Sequence, residues 1–235
     1  MILSIIIPTL NEEKYLPRLL KSIYGQKDFL DFEVIVSDGN SKDKTQEIAK
    51  SFGCKVITNN KRHPSYQRND GAKVARGELL LFLDADTGIP DNFLGPIVKE
   101  FKNRKLVGAG FYIKVKSKKG FYRRMTKCLN FLFWLGQIIR PAYVGIAMMA
   151  RKETHVKVKG FDETIFVGED YDYSYKLFKQ GKVKMIKSSF VYYSLRRLEK
   201  EGKWKVIGRW GKGTWYVLTK GPIKKKIVKY DFGDY

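Results

Sequence analysis

Two spacings of apolar residues alternate along the first half of the chain. Residues 2–7 (ILSIII), 33–37 (EVIVS), 55–58 (KVIT) and 79–83 (LLLFL) are short, mostly apolar, β-rich runs, the pattern of strands buried on both faces of a parallel sheet. Between them the spacing is helical, through Leu16, Leu19, Leu20 and Ile23, over 43–52 and over 65–76. Ser65 is placed to cap the last of these and Gly77 to stop it. Strand and helix repeated in this way predict an α/β fold built on a doubly wound, mostly parallel sheet flanked by helices.

The second half is less regular. An alternating strand is expected near 107–115, a helix over roughly 119–139, a strand at 145–149, a helix near 169–180 and a strand at 182–186. From Ser194 onward the chain is basic and aromatic without a clear period. No internal repeat, low-complexity tract or Pro/Gly linker breaks the sequence, so its 235 residues, 43% of them hydrophobic, predict one compact domain with two lobes.

Doubly wound sheets bind ligands beyond the carboxyl ends of their strands. That rule selects Pro8, Thr9, Asn11 and Glu12 after the first strand, Ser37, Asp38 and Gly39 after the second, and Asp84, Ala85 and Asp86 after the fourth. Asp84 and Asp86 stand one residue apart, where two carboxylates repel unless a cation lies between them. Hard divalent ions favour such oxygens, completed by water and substrate phosphates, which points to Mg²⁺ or Mn²⁺ holding a diphosphate; a turn rich in Asp is the plainer reading of D-x-D alone. Asp38 with Gly39 suits a nucleobase or ribose, or simply a turn. Arg68, on the helix leading into the fourth strand, has a fork that matches phosphate oxygens, although a surface arginine is the ordinary alternative.

Charge divides the chain unevenly. The formal net charge is +22, with 17 basic and 14 acidic residues over 1–111, 17 and 6 over 112–193, and 12 and 4 over 194–235. A basic second half attracts polyanions, or is a solubilising lysine-rich surface. The longest apolar stretch, Cys128 to Ala150, is interrupted by Arg140 and Pro141 after about 11 apolar residues, against the ~20 that a membrane span needs. Its segment Leu129, Phe131, Leu132, Phe133, Trp134 and Leu135, preceded by Arg123, Arg124 and Lys127, reads as a core helix or as one lying in a lipid interface. Two cysteines and an N-terminus without a signal-peptide pattern predict a reducing, cytoplasmic setting.

The segments SIIIPTLNEE, VSDGNSKDKT, RNDGAKVARGELLLFLDADT and GFDETIFVGEDYDYSYKLFKQGK, in that order, resemble the inverting glycosyltransferases of family 2, the dolichyl-phosphate mannosyltransferase-like and cell-surface polysaccharide enzymes. The resemblance runs from about Ser4 to Arg197 and implies a GT-A fold, with a nucleotide-sugar-binding lobe over 1–111, an acceptor-binding and catalytic lobe over 112–193, and a basic aromatic tail over 194–235. It implies that Pro8, Thr9 and Glu12 line the nucleotide pocket, that Asp38 contacts the base, that Arg68 sits near the diphosphate, and that Asp86 binds the metal with Asp84 nearer the nucleoside. Glu169 and Asp170 match the family's E-D pair, whose aspartate is the general base. Arg196 and Arg197 lie where relatives carry diphosphate-binding arginines, but the Q-x-x-R-W-type motif is otherwise missing.

An inverting transfer also calls for a base remote in sequence from the metal carboxylates, which favours Asp170 over Asp172; a helix N-terminus is the bland account of the same acidic pair. The implied partners are a nucleotide-diphosphate sugar donor, an acceptor hydroxyl or lipid phosphate, and an anionic membrane touched peripherally. A sugar nucleotidyltransferase would open on a glycine-rich loop where this chain has PTLNEE, and GRWGKGT at 208–214 has Gly213 where a P-loop needs lysine. With only His63 and His155, a zinc site or a histidine-based hydrolase is not expected. The competing reading from another class is a noncatalytic module binding nucleic acid or other polyanions through Trp204, Trp210, Trp215, Tyr216 and their basic neighbours. Such a module has no use for convergent carboxylates.

Overall fold

The computed structural model describes all residues except 30, 140–142, 144, 222 and 225–235, and only the backbone of 138, 139, 218 and 220. Arg140 and Pro141, which interrupt the apolar stretch, therefore lie outside the described residues. The elements run β1 (Leu3–Thr9), α1 (Leu16–Tyr24), β2 (Phe32–Asp38), α2 (Thr45–Ser51), β3 (Lys55–Thr58), α3 (Pro64–Val74), β4 (Leu79–Leu83), α4 (Leu94–Asn103), β5 (Gly108–Lys114), α5 (Gly120–Ile139), β6 (Ala147–Arg151), α6 (Lys152–Lys157), α7 (Glu169–Phe178), β7 (Val183–Tyr192), α8 (Arg196–Glu201) and α9 (Lys203–Lys220).

The strands form one sheet in the order β3-β2-β1-β4-β6-β5-β7. β1 pairs in parallel with both β2 and β4, β2 with β3, and β5 with β7, while β6 runs antiparallel to β4 and β5. Leu79–Leu83 and Leu3–Thr9 are buried along their whole length, which explains their unbroken apolar character. Leu16, Leu19, Leu20 and Ile23 of α1 and Leu94, Ile97, Val98 and Phe101 of α4 are buried in the core cluster that also holds Ile5, Ile7, Leu79 and Leu81. Ile6 and Leu80, pointing the other way from their strands, join Phe82, Phe161 and Tyr173 in a second cluster.

Three expectations need correction. α3 begins one residue before Ser65: His63 is its cap, with Nδ1 accepting the Ser65 N–H at 3.2 Å, and Pro64 occupies the first turn, where a missing N–H costs nothing. It ends at Val74, before Gly77, because Ala75 is already extended. Gly77 serves a close approach instead, donating its N–H to Ser4 Oγ at 2.8 Å where a Cβ would stand 2.6 Å from Ser4 N. The tail beyond Ser194 is helical through α8 and α9, although few of its apolar residues are inward: Leu198 and Val206 are buried with Tyr122 of α5, while Trp204 and Trp215 are exposed. No helix among the described residues is long and apolar enough to cross a membrane.

Candidate active site

β1 lies between β2 and β4, so the chain's winding reverses there and the loops after β1 and β4 splay apart. The crevice this opens holds a cavity of about 540 Å³. Pro8, Thr9, Glu12, Arg68, Asp84, Asp86, Asp170, Arg196 and Arg197 all line it; Asp38 does not.

Asp38 is fully buried behind the wall. Its Oδ1 accepts from Thr9 Oγ1 at 2.7 Å and Ser41 Oγ at 2.6 Å, and its Oδ2 from Ser41 N at 2.7 Å and Gln46 Nε2 at 2.8 Å. It thereby ties the ends of β1 and β2 together and fixes the Thr9 hydroxyl at the cavity edge.

Arg68 also departs from its expected place. α3 carries it beneath the site, and it is 2% exposed. Nη2 donates to Asp84 Oδ1 at 2.9 Å and to Gly145 O at 3.1 Å, and Nη1 donates to Glu169 Oε1 at 3.1 Å. The fork expected to meet phosphate is thus committed to two carboxylates, one after β4 and one at the start of α7. Burial works against its charge, but Asp84 and Glu169 outweigh that and hold the proton more firmly than usual. Its Nε is buried without a hydrogen-bond partner among the described residues.

A second arginine faces the cavity from the start of α8. Arg196 grips Glu12 in bidentate fashion, Nη1 to Oε2 at 2.8 Å and Nη2 to Oε1 at 2.7 Å, and its Nε lies 2.9 Å from Asp86 Oδ2. Its guanidinium carbon is 4.6 Å from the centre of the Tyr15 ring. Desolvation raises the Glu12 carboxyl, and the Arg196 pairing pulls it back only in part. Asp86 is thereby joined through Arg196 to the β1 loop, and Asp84 through Arg68 to α7.

α7 starts at Gly168, whose φ of 89° is a left-handed conformation that glycine adopts at little cost. Asp170, in its first turn, accepts from Gly145 N at 2.8 Å through Oδ2 and from Tyr171 N at 2.9 Å through Oδ1. Desolvation in the crevice, reinforced by the neighbouring Glu169 charge, pushes its carboxyl up to about 7. A carboxylate so poised can take a proton near neutrality.

α9 closes the far side of the cavity with Trp210, Thr214, Tyr216 and Val217, and Leu129 and Phe133 of α5 add an apolar wall. Thr214 hydrogen-bonds the Tyr171 side chain, and Ile223 O accepts the Phe166 N–H at 2.8 Å, so the chain after α9 is tied to the loop before α7. Trp210 and Tyr216 had a sequence signal as aromatics among basic residues; nothing local indicated Tyr15 or the Gly145 peptide.

Among the described residues no group of three or more His, Cys, Asp or Glu side chains is placed to hold an ion. The donor chemistry nevertheless suits Mn²⁺ or Mg²⁺, which commonly bind through one or two carboxylates with water and substrate phosphates supplying the rest. Asp86, with Asp84 beside it, is such a donor set.

A mostly parallel sheet with its carboxylates at the β1/β4 switch defines the GT-A class of fold. Solved structures agree: the chain superposes on Staphylococcus aureus TarS 1–349 in complex with UDP with a TM-score of 0.67, at 22% identity over 82% of this chain and 60% of that one. For the mannosyltransferase PcManGT from Pyrobaculum calidifontis in complex with GDP-Man and Mn²⁺ the TM-score is 0.68, at 20% identity over 82% and 56%. The profile of glycosyl transferase family 2 matches residues 4–161, and the chain belongs to that family.

Among curated relatives it is 26% identical over 203 residues to the dolichyl N-acetyl-alpha-D-glucosaminyl phosphate 3-beta-D-2,3-diacetamido-2,3-dideoxy-beta-D-glucuronosyltransferase of Methanococcus voltae, covering 76% of this chain and 62% of the relative. It is 35% identical over 105 residues to the GalNAc(5)-diNAcBac-PP-undecaprenol beta-1,3-glucosyltransferase of Campylobacter jejuni, covering 42% and 34%. The chain spans less than two thirds of the length of these relatives.

Proposed function

We propose that this protein is an inverting glycosyltransferase that moves a sugar from a nucleotide-diphosphate donor to an acceptor hydroxyl or lipid phosphate, with Asp170 as general base. The observation that carries the reading is the placement of Asp170, its carboxyl raised to about 7, on the same cavity wall system as Asp84 and Asp86 but on an element 84 residues further along. Family membership supports it over a noncatalytic polyanion binder.

In this reading residues 1–111 bind the donor and 112–193 present the acceptor. Pro8, Thr9 and Glu12 face the nucleoside, with Asp38 holding Thr9 from behind and Asp84 on the nucleoside side. Arg197 faces the diphosphate, joined by Arg196 when the donor draws its fork from Glu12 and Asp86. Arg68 acts from beneath as the countercharge that keeps Asp84 and Glu169 together, a different task from direct phosphate binding. A divalent ion at Asp86, Mn²⁺ or Mg²⁺, supplies charge neutralisation to the departing diphosphate when bound.

Asp170 accepts the proton of the acceptor hydroxyl as its oxygen bonds to the anomeric carbon from the face opposite the leaving group. The bond from that carbon to the β-phosphate oxygen breaks, and its electron pair leaves with the nucleoside diphosphate. A phosphate acceptor arrives already ionised and needs no proton removed, so Asp170 acts as base only toward a hydroxyl acceptor. Relatives named for dolichyl and undecaprenol carriers support a membrane-associated acceptor; in this reading the protein works peripherally at the cytoplasmic face of a membrane. Proton NMR of the product tests the core claim. A product with the anomeric configuration opposite to the donor's is expected, and a retained configuration removes Asp170 from the base role.

A further inference from the structure

α5 contributes Leu129 and Phe133 to the cavity wall, while one of its faces is exposed among the described residues. It hangs on the sheet by the other: Asn130 Nδ2 donates to Ile113 O at 2.8 Å, its Oδ1 accepts the Ile113 N–H at 2.9 Å, and Gln137 Oε1 accepts the Met185 N–H at 3.2 Å. The outward face changes character along the axis. Its first half carries exposed Arg123, Arg124 and Lys127; its second half exposes Phe131 (58%), Leu132, Trp134 (45%) and Leu135. The Phe131 and Trp134 rings stack at 5.8 Å, so the apolar half is a continuous patch. At the other end Phe121 packs edge-on against Trp204 of α9 at 5.6 Å, with Lys203 over both rings and Trp204 itself 69% exposed. Neither α5 nor α9 contains an acidic residue.

We propose that this face of α5, with Trp204 beside its N-terminal end, docks the protein onto an anionic lipid bilayer. The chemistry selects that occupant. Basic side chains at one end meet lipid phosphates, while Phe, Leu and Trp at the other enter the boundary between headgroups and acyl chains, the residue set of interfacial helices. Nucleic acid would match the charges and leave Leu132 and Leu135 against phosphates. A second copy would set Arg123, Arg124 and Lys127 either against their own kind or against the apolar half of the partner helix, between two chains of net charge +22. Docked this way, the helix that walls the cavity is also the one that touches lipid. The inference rests on the membrane-associated acceptor for its purpose, whereas the docking itself asks nothing of the reaction.

The test is sedimentation of the full chain with phosphatidylcholine vesicles and with mixed phosphatidylcholine–phosphatidylglycerol vesicles. Phe131→Ser/Trp134→Ser and Arg123→Glu/Arg124→Glu are run beside the wild type. Selective binding to the mixed vesicles is expected, weakened by at least about tenfold in the aromatic variant and by roughly fivefold or more for each reversed charge. Tryptophan emission should be quenched by brominated acyl chains in the wild type and much less in Phe131→Ser/Trp134→Ser. Circular dichroism and nucleoside diphosphate titration of each variant check folding and the donor site. Absence of vesicle binding, binding indifferent to anionic lipid, or equal binding by the aromatic variant overturns the proposal. So does a dimer that Phe131→Ser/Trp134→Ser dissolves, or an RNA complex that alone depends on those two rings. Vesicle binding without nucleotide binding sinks the transferase reading and upholds the docking face; the converse sinks the docking face alone.

Discussion

Replacing Glu169 by glutamine should move the acid limb of the pH–rate profile downward. The Asp170 carboxyl stands at about 7 first because the crevice desolvates it and then because Glu169 places a like charge beside it; the Gly145 and Tyr171 N–H groups and Arg68 work in the opposite direction. A base with that value is half ionised at neutrality and about one-tenth ionised one pH unit lower, so the wild-type rate should fall roughly fivefold over that interval. The Glu169→Gln amide keeps an oxygen for Arg68 Nη1 and loses only the charge. Removing a like charge so near is worth about one pH unit, so the variant should hold most of its rate where the wild type has lost it. Asp170→Asn should abolish the limb and lower the rate by about 10²–10⁴-fold. The assay is nucleoside diphosphate release from the donor with water as acceptor, at substrate well below saturation, from about pH 5 to about pH 9. A limb that stays in place in Glu169→Gln, or an Asp170→Asn enzyme of near wild-type rate, would refute the assignment.

Arg68→Met should destabilise the fold by about 3 kcal/mol or more, because Asp84 and Glu169 would then share a buried region without their counterion. Urea unfolding measures it, and a loss below about 1 kcal/mol would mean that solvent already screens the pair. Gly168→Ala should cost about 1–2 kcal/mol, since φ is 89° there and the new Cβ would meet Val217 Cγ2 at 3.1 Å. A lowered melting temperature with faster proteolysis around α9 is expected; an unchanged melt would show that α9 does not bear on Gly168.

Much of this architecture is legible in the chain. β1 and β4 read clearly because both their faces are buried, and the carboxylates at their ends followed from the rule that such sheets bind at their carboxyl edge. Strand direction did not follow: β6 is as apolar as its neighbours, and nothing in Ala147–Arg151 says that it runs against them. α4 had the spacing of Leu94, Ile97, Val98 and Phe101 but no motif to draw attention to it. Arg68 was recognisable as a site residue, but its partners lie 16 and 101 positions away, so its burial beneath the carboxylates was not. Glu12 and Arg196 were each singled out, yet their pairing spans 184 positions. α9 escaped because its buried residues are few and two of its three tryptophans, Trp204 and Trp215, point outward. Periodicity reports burial, and a helix lying over a cavity has little of it.

Calorimetric titration of wild type and Asp86→Ala with a panel of nucleoside diphosphates, with and without Mn²⁺, tests the central claim most directly. Salt must be high enough to suppress nonspecific attraction to so basic a chain. One base should be selected, with binding that requires both the metal and Asp86. Binding that is blind to the base, independent of the metal and lost with salt would mean that the crevice between β1 and β4 is not a nucleotide-sugar site.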